Sequence, residues 1–316
     1  MDRTQSKSRS LPAGSRLEGY TIVRVLSSGG FSEVYLALDD HDRKYAIKEY
    51  LPRDMVGRSD VGDVTVLNEL DREVFKLGLR CFFDEARVLA GIRHPNVVRV
   101  SNFFRANQTV YMVMEYADGR SLARELELAG GSMPEARLRK LFAELIAGLE
   151  EVHKQHLLHL DIKPGNIYLC RNGAPILLDF GTARQAAGHG HSAAMITPGY
   201  AAPEQYQAKG PLGPWTDIYG LGASMYLAMG GGRLPAANER LRNDILPLAS
   251  VALAGKYSPA LLQLVDQCLI LDHTARPASL GEVRERLLAN YQEVQAAPPG
   301  GRLQRLWSCL LGRGKS

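Results

Sequence analysis

The 316-residue chain is 45% hydrophobic and 23% charged, proportions of a soluble globular protein that exclude disorder as its main state. Its formal charge of +4 is unevenly placed: residues 1–16 carry +3 and residues 297–316 carry +4, which leaves the rest at −3. A nucleic-acid-binding face needs its positive charge on the folded domain, so nucleic acid is not expected as a partner.

Cys81, Cys170, Cys268 and Cys309 are widely spaced and form no C-x-x-C pair, a pattern of buried or incidental thiols in a reducing compartment. The opening stretch MDRTQSKSRSLPAGS lacks the apolar centre of a signal peptide. No apolar run reaches the ~18 residues that a membrane span needs. The expected location is the cytoplasm.

Residues 1–16, polar and Ser-rich, read as a flexible leader. YTIVRVL, EVYLAL and KYAIKEYL then follow one another as short strands around a Ser-Gly cluster and a polar turn, which predicts an antiparallel meander. Pro52, Gly57 and Gly62 break any period in 51–67, where DVTVL reads as a small extra strand. Residues 68–91 favour a helix with Phe82, Ala86, Leu89 and Ala90 on one face, stopped by His94-Pro95. VVRVSNFF and TVYMVMEY predict two strands around a turn at 106–108. Beyond Gly119 helical patterns dominate at 134–153, 217–230, 259–271 and 279–291, around a loop-rich centre at 157–214. Strands first and helices afterwards predict an α+β fold in two lobes.

Most of the chemical side chains fall in that centre. In HLDIKPGNI (159–167) and LLDFG (177–181), Asp161, Asn166 and Asp179 lie on two loops joined by short strands. An Asn and an Asp beside nucleotide phosphates suffice for magnesium, which keeps several waters, and Asp161 would then be free to orient a hydroxyl. Lys48 in YAIK is either an exposed edge charge or an inward lysine that requires an anionic partner. LSSGGFSEVYLA (26–37) is either a phosphate-approaching loop or an ordinary hairpin turn. The terminal GKS lacks the rest of a Walker loop. His189 and His191 read as a solvated loop and His159 as a structural residue.

Over residues 17–290 the chain resembles the eukaryotic-type serine/threonine protein kinases in their bacterial form. The resemblance implies a two-lobed kinase fold with a strand-rich small lobe at 17–116, a helical large lobe at 117–290, and a tail at 291–316. By that likeness Lys48 holds the nucleotide phosphates and pairs with Glu85, while Asp161 is the catalytic base. Asn166 and Asp179 hold the metal. Lys163 and Thr197, in IKP and TPGYAAPE, match the serine/threonine-directed branch. Leu26, Ser27, Gly29, Gly30, Phe31, Val34 and Ala46 correspond to the nucleotide-covering loop and roof. Met114 corresponds to the gatekeeper, and Glu115 and Ala117 to the hinge that receives adenine. Asp217 and Gly222 of DIYGLG would brace the catalytic loop, and Arg276 would pair with Glu204.

Three departures stand out. Ser27 and Ser32 replace two glycines of the nucleotide loop; the insertion 51–83 leaves Glu69, Glu73 and Asp84 as competitors of Glu85; and Leu160 stands where an arginine usually receives an activating phosphate. The implied activity is transfer of the γ-phosphoryl of ATP to protein Ser/Thr hydroxyls, with Mg2+ or Mn2+, including autophosphorylation opposed by a phosphatase. A nucleotide-binding pseudokinase scaffold is the alternative, and a small-molecule kinase a third reading that TPGYAAPEQ and Arg276 argue against. In the tail, Leu303, Leu306, Trp307, Leu310 and Leu311 recur at helical spacing among Arg302, Arg305, Arg313 and Lys315. Residues 302–313 therefore read as a docking segment for a partner or the inner membrane face, or as a segment folded back on the large lobe.

Overall fold

Alternation of apolar and polar side chains along the first third of the chain builds one antiparallel sheet. Its strands are β1 (Arg16–Leu17), β2 (Tyr20–Ser28), β3 (Ser32–Asp39), β4 (Lys44–Tyr50), β7 (Val100–Ala106) and β8 (Thr109–Glu115), in the order β1-β2-β3-β4-β8-β7. The computed structural model describes residues 9–180, 196–207 and 209–289. The register Val34↔Lys48↔Met112 and Ala46↔Met114 places those side chains on one face, which joins the main core. The other face carries Tyr35, Ala37, Ile47, Tyr111 and Val113 in a second core. Asn107 and Gln108, at φ 48° and 58°, make the tight turn between β7 and β8.

That second face explains one correction. The leader does not extend to residue 16, because from Arg9 the chain lies across the sheet. Leu11 is buried among the outer-face side chains, its N–H donates to Tyr35 Oη at 3.2 Å, and Ser10 Oγ donates to Glu33 at 2.8 Å. An apolar sheet face gains from such a cover, which the polar composition of the segment conceals. Residues 1–8 lie outside the described residues.

The region 51–67 folds as a hairpin, β5 (Val56–Arg58) with β6 (Val64–Val66). It delivers two arginines to buried acids on the outer face: Arg53 donates to Glu33 at 2.6 Å, and Arg58 reaches both carboxylate oxygens of Glu49 at 2.6–2.7 Å. Helix α1 (Arg72–Gly91) follows. Gly78 sits in its interior, where glycine costs about 1 kcal/mol relative to alanine. A Cβ there would fall 1.9 Å from Tyr50 Oη, and the space is taken by the Tyr50 ring, stacked on Phe75 and tilted against Phe82.

The large lobe begins with β9 (Gly119–Ser121) and α2 (Leu122–Leu128), neither of which was expected. Seven residues with Leu122 and Leu126 as their buried positions are too few to show a helical period. The lobe's longer elements are helix α3 (Glu135–Lys154), strands β10 (Ile167–Cys170) and β11 (Pro175–Leu177), and helices α4 (Pro214–Ala228), α5 (Pro259–Cys268) and α6 (Leu280–Ala289), with short helical turns between them. Helix α4 is buried around almost its whole circumference, and Gly222 lets it approach Cys268, to which a Cβ would come within 2.6 Å. No helix of the described residues is long and apolar enough to cross a membrane. The tail segment 302–313 lies outside them.

Candidate active site

The buried start of α4 fixes the 159–161 backbone. Asp217 accepts hydrogen bonds from His153 Nε2 (2.7 Å), the His159 N–H (2.9 Å) and the Leu160 N–H (2.8 Å). Burial alone would push its carboxyl up, but the His153 and His159 contacts outweigh it and hold the pKa below the ordinary aspartate value. Burial pushes His159 down, favouring the neutral ring. Its Nδ1 accepts from the Asp161 N–H at 3.3 Å and its Nε2 donates to the Leu178 carbonyl at 3.0 Å, so one tautomer satisfies both. The Phe180 ring packs beside it at 4.4 Å between centroids. His159 is structural, as expected.

Between them Leu160 takes a left-handed backbone conformation, φ 63°. For a residue with a Cβ this costs roughly 1–2 kcal/mol. The loop holds it there from both sides. Asp217 takes its N–H, and the side chain of Gln205 donates to its carbonyl at 2.9 Å. The turn delivers Asp161 into the cleft.

Around Asp161 the expected partners converge. Thr197 Oγ1 donates to its Oδ1 at 2.7 Å; Lys163 Nζ donates to Oδ2 at 2.9 Å and to Thr197 Oγ1 at 3.1 Å. Asn166 Nδ2 donates to the Asp161 carbonyl and to Oδ2, at 2.9 and 2.7 Å. This use of its nitrogen leaves Asn166 Oδ1 as the oxygen available to a cation. On the next loop Asp179, at φ 55°, presents a carboxylate 41% exposed, with Oδ1 3.2 Å from Lys48 Nζ. Among the described residues no cluster of three or more His, Cys, Asp or Glu forms a ready metal site. Two oxygen ligands of this kind fit a hard cation that draws its remaining ligands from phosphates and water. His189 and His191 lie outside the described residues.

Lys48 is buried on the inner face, and Glu85 is buried on α1. The ion pair of Lys48 among the described residues is with Asp179, where the resemblance implies Glu85. Phe82, one turn before Glu85, has its ring centroid 5.5 Å from the ammonium, within reach of a cation–π contact.

A cleft of about 320 Å³ gathers Ser27, Gly29, Gly30, Phe31, Lys48, Asp161, Lys163, Asn166 and Asp179 from both lobes. Val34, Ala46 and Met114 share the sheet face of Lys48 but lie beyond its lining, and Leu26 sits at a register shift of β2. Glu115 and Ala117 border a different depression, with His94 and Cys170. Ser32, read from the sequence as a loop position, also lines the cleft, together with Ser28, Tyr50, Phe82, Gly165 and Phe180, which sequence reasoning did not assign to it. Ser28, Ser32, Gly165 and Phe180 lie inside the quoted loops, whereas nothing in the sequence marked Tyr50 or Phe82 as cleft residues. The 27–32 loop is tied down by β4 and its continuation: the Leu51 and Arg53 N–H groups donate to the Phe31 and Gly30 carbonyls at 2.8 Å, and Ser28 Oγ donates to Glu33 at 2.7 Å.

Below the cleft, Arg276 clasps Glu204 through two nitrogens, at 2.8 and 3.0 Å. Residues 20–288 match the protein kinase domain. The chain belongs to that family. Serine/threonine-protein kinase pkn2 of Myxococcus xanthus is 32% identical over 299 residues, 89% of this kinase chain and 33% of that protein. Serine/threonine-protein kinase PksC of Streptomyces coelicolor is 31% identical over 309 residues, 91% of this chain and 52% of its own. The kinase domain thus sits in a chain that spans a third to about half the length of these curated relatives. Among solved structures the apo form of PpkA-294 superposes with a TM-score of 0.79 at 34% identity, over 89% of this chain and all of that one. A structure of Rad53 in complex with AMP-PNP (TM-score 0.65, 20% identity) shares the fold. These relatives place the chain with the serine/threonine protein kinases of eukaryotic type that occur in bacteria.

Proposed function

We propose that this chain is an active serine/threonine protein kinase that transfers the γ-phosphoryl group of ATP to protein hydroxyls. The observation that carries the proposal is the contact of Thr197 and Lys163 with Asp161 in one hydrogen-bonded group at the mouth of the cleft. In the transfer a bond forms between the substrate hydroxyl oxygen and the γ-phosphorus, the bond to ADP breaks, and Asp161 receives the hydroxyl proton. Lys163 stands where charge on the moving phosphoryl group would be stabilised. Lys48 and the 27–32 loop would hold the phosphates. Magnesium, or manganese in its place, would neutralise phosphate charge when held by Asn166 and Asp179. The intact set of Lys48, Asp161, Asn166 and Asp179 supports turnover over a pseudokinase scaffold.

The same reading takes residues 17–290 as the catalytic unit, extended at its start by the folded stretch from Arg9. It expects protein substrates, autophosphorylation, an opposing phosphatase and a cytoplasmic setting, with residues 302–313 as a docking segment. Incubation with γ-labelled ATP, magnesium and a generic basic protein should label serine and threonine but not tyrosine. Labelling should persist in phosphatase-treated enzyme, because Leu160 cannot bind an activating phosphate. Label confined to tyrosine, or none above an enzyme-free control, would sink the proposal.

A further inference from the structure

Gln205 follows directly on the Ala202-Pro203-Glu204 turn that closes the activation segment, and its side chain crosses back to the catalytic loop. Its Oε1 accepts the Ala202 N–H at 2.9 Å while its Nε2 donates to the Leu160 carbonyl, also at 2.9 Å. It is buried, with 8% of its surface exposed. One partner is a donor and the other an acceptor, so the orientation of the amide is fixed. A side chain that joins these two backbone groups must carry a donor and an acceptor together.

The position of this link matters because of what it holds. Leu160 is left-handed at φ 63°, and its two backbone polar groups are fixed by side chains of separate elements, Asp217 on the N–H and Gln205 on the carbonyl. The residue carried by that turn is Asp161. Thr197, eight positions before Gln205, grips the Asp161 carboxylate itself. Residues 197–205 therefore touch the catalytic loop twice in succession, once on the backbone that aims the aspartate and once on its oxygen. Leucine at 160 has no group for a phosphate. A neutral amide that is always present makes the contact between segment and loop.

We propose that Gln205 is a positioning residue that locks the catalytic loop to the end of the activation segment, so that Asp161 is aimed without phosphorylation. The proposal rests on the kinase reading given above. It does not place Gln205 in contact with substrate or nucleotide.

Two substitutions separate this role from local capping. Gln205→Ala removes both bonds. Gln205→Glu keeps an acceptor for the Ala202 N–H but turns a carboxylate oxygen on the Leu160 carbonyl, where two acceptors repel. Turnover with ATP and a generic basic protein, affinity for a fluorescent ATP analogue, thermal midpoint, and amide exchange of peptides covering 158–166 would be measured in the full chain. Misaiming a catalytic group by about 1 Å lowers rates by roughly 100-fold. The expected result is a kcat lower by about 10- to 100-fold in both variants, with Gln205→Glu at least as impaired as Gln205→Ala. Analogue affinity should stay within about two-fold, and exchange in 158–166 should quicken. A Gln205→Glu enzyme that matches the wild type, or unchanged exchange in 158–166, would overturn the proposal. A variant whose analogue affinity and melting fall in step with kcat would also overturn it, by showing a general structural role. If the wild-type chain itself transfers no label, the kinase reading fails, while the exchange comparison still decides whether Gln205 holds the loop.

Discussion

Replacing Asp161 with asparagine is expected to lower phosphoryl transfer by about 100- to 10,000-fold, the range in which a positioned general base contributes. The geometry explains why a near-isosteric change should act so strongly. Oδ1 accepts from Thr197, and Oδ2 accepts from both Lys163 and Asn166. An asparagine can keep one of these edges as an acceptor. Its NH2 group then faces either the Thr197 hydroxyl or the Lys163 ammonium and Asn166 amide, which are donors. It also cannot take the proton of an incoming hydroxyl. Nucleotide affinity should change little, because Lys48 and the 27–32 loop stand apart from these bonds. Single-turnover label transfer together with titration of a fluorescent ATP analogue tests both halves. An Asp161→Asn enzyme that retains more than about a tenth of wild-type transfer would contradict the assigned role.

The largest effect on stability is expected at Arg276. Its side chain is fully buried against Glu204, itself 3% exposed. All five of its N–H groups are used: two on the Glu204 carboxylate and the others on the carbonyls of Ile270, Leu271 and Trp215. Arg276→Ala would leave a buried carboxylate without its cation and three carbonyls without a donor. Breaking one side of such a pair typically costs about 3–5 kcal/mol, a large part of the 5–15 kcal/mol by which domains are stable. Lysine should rescue little, since an ammonium cannot span the same fork of acceptors. Urea unfolding should show the midpoint falling for both variants. A loss below about 1 kcal/mol for Arg276→Ala would mean that Glu204 is compensated in some other way.

The parts of this molecule that could be read from its sequence share a property: they repeat or they cluster. Strands β2 to β4 and the long helices declare themselves by period. Asp161, Lys163, Asn166 and Asp179 declare themselves by close spacing on loops, and the structure brings all four to one cleft. What was misjudged depends on contacts between distant segments. Lys48 pairs, among the described residues, with Asp179 from a loop far along the chain, a contact that no local spacing declares. The stretch from Arg9 to Arg16 looked like leader because Leu11 is its one large apolar side chain, and one side chain makes no period. Gln205 stood at the end of the quoted TPGYAAPEQ with no role of its own. Its meaning lies in an acceptor 45 residues earlier in the chain.

The outer face of the small lobe has a consequence for descent and for protein engineering. Glu33 and Glu49 are directly opposed on β3 and β4, both fully buried, and their counter-charges Arg53 and Arg58 come from the chain that follows β4. Two like charges enclosed side by side cannot outlast the loss of their cations. The acids and the 51–67 hairpin should therefore be inherited or discarded together. A relative with a short β4-to-α1 connection should carry uncharged residues at the positions of Glu33 and Glu49, and a shortened version of this chain would need the same two changes to fold. Residue 20, where the family match begins, would be a poor place to cut. A chain started there would lack Leu11 and Leu17 from that face and the Ser10 hydroxyl from Glu33.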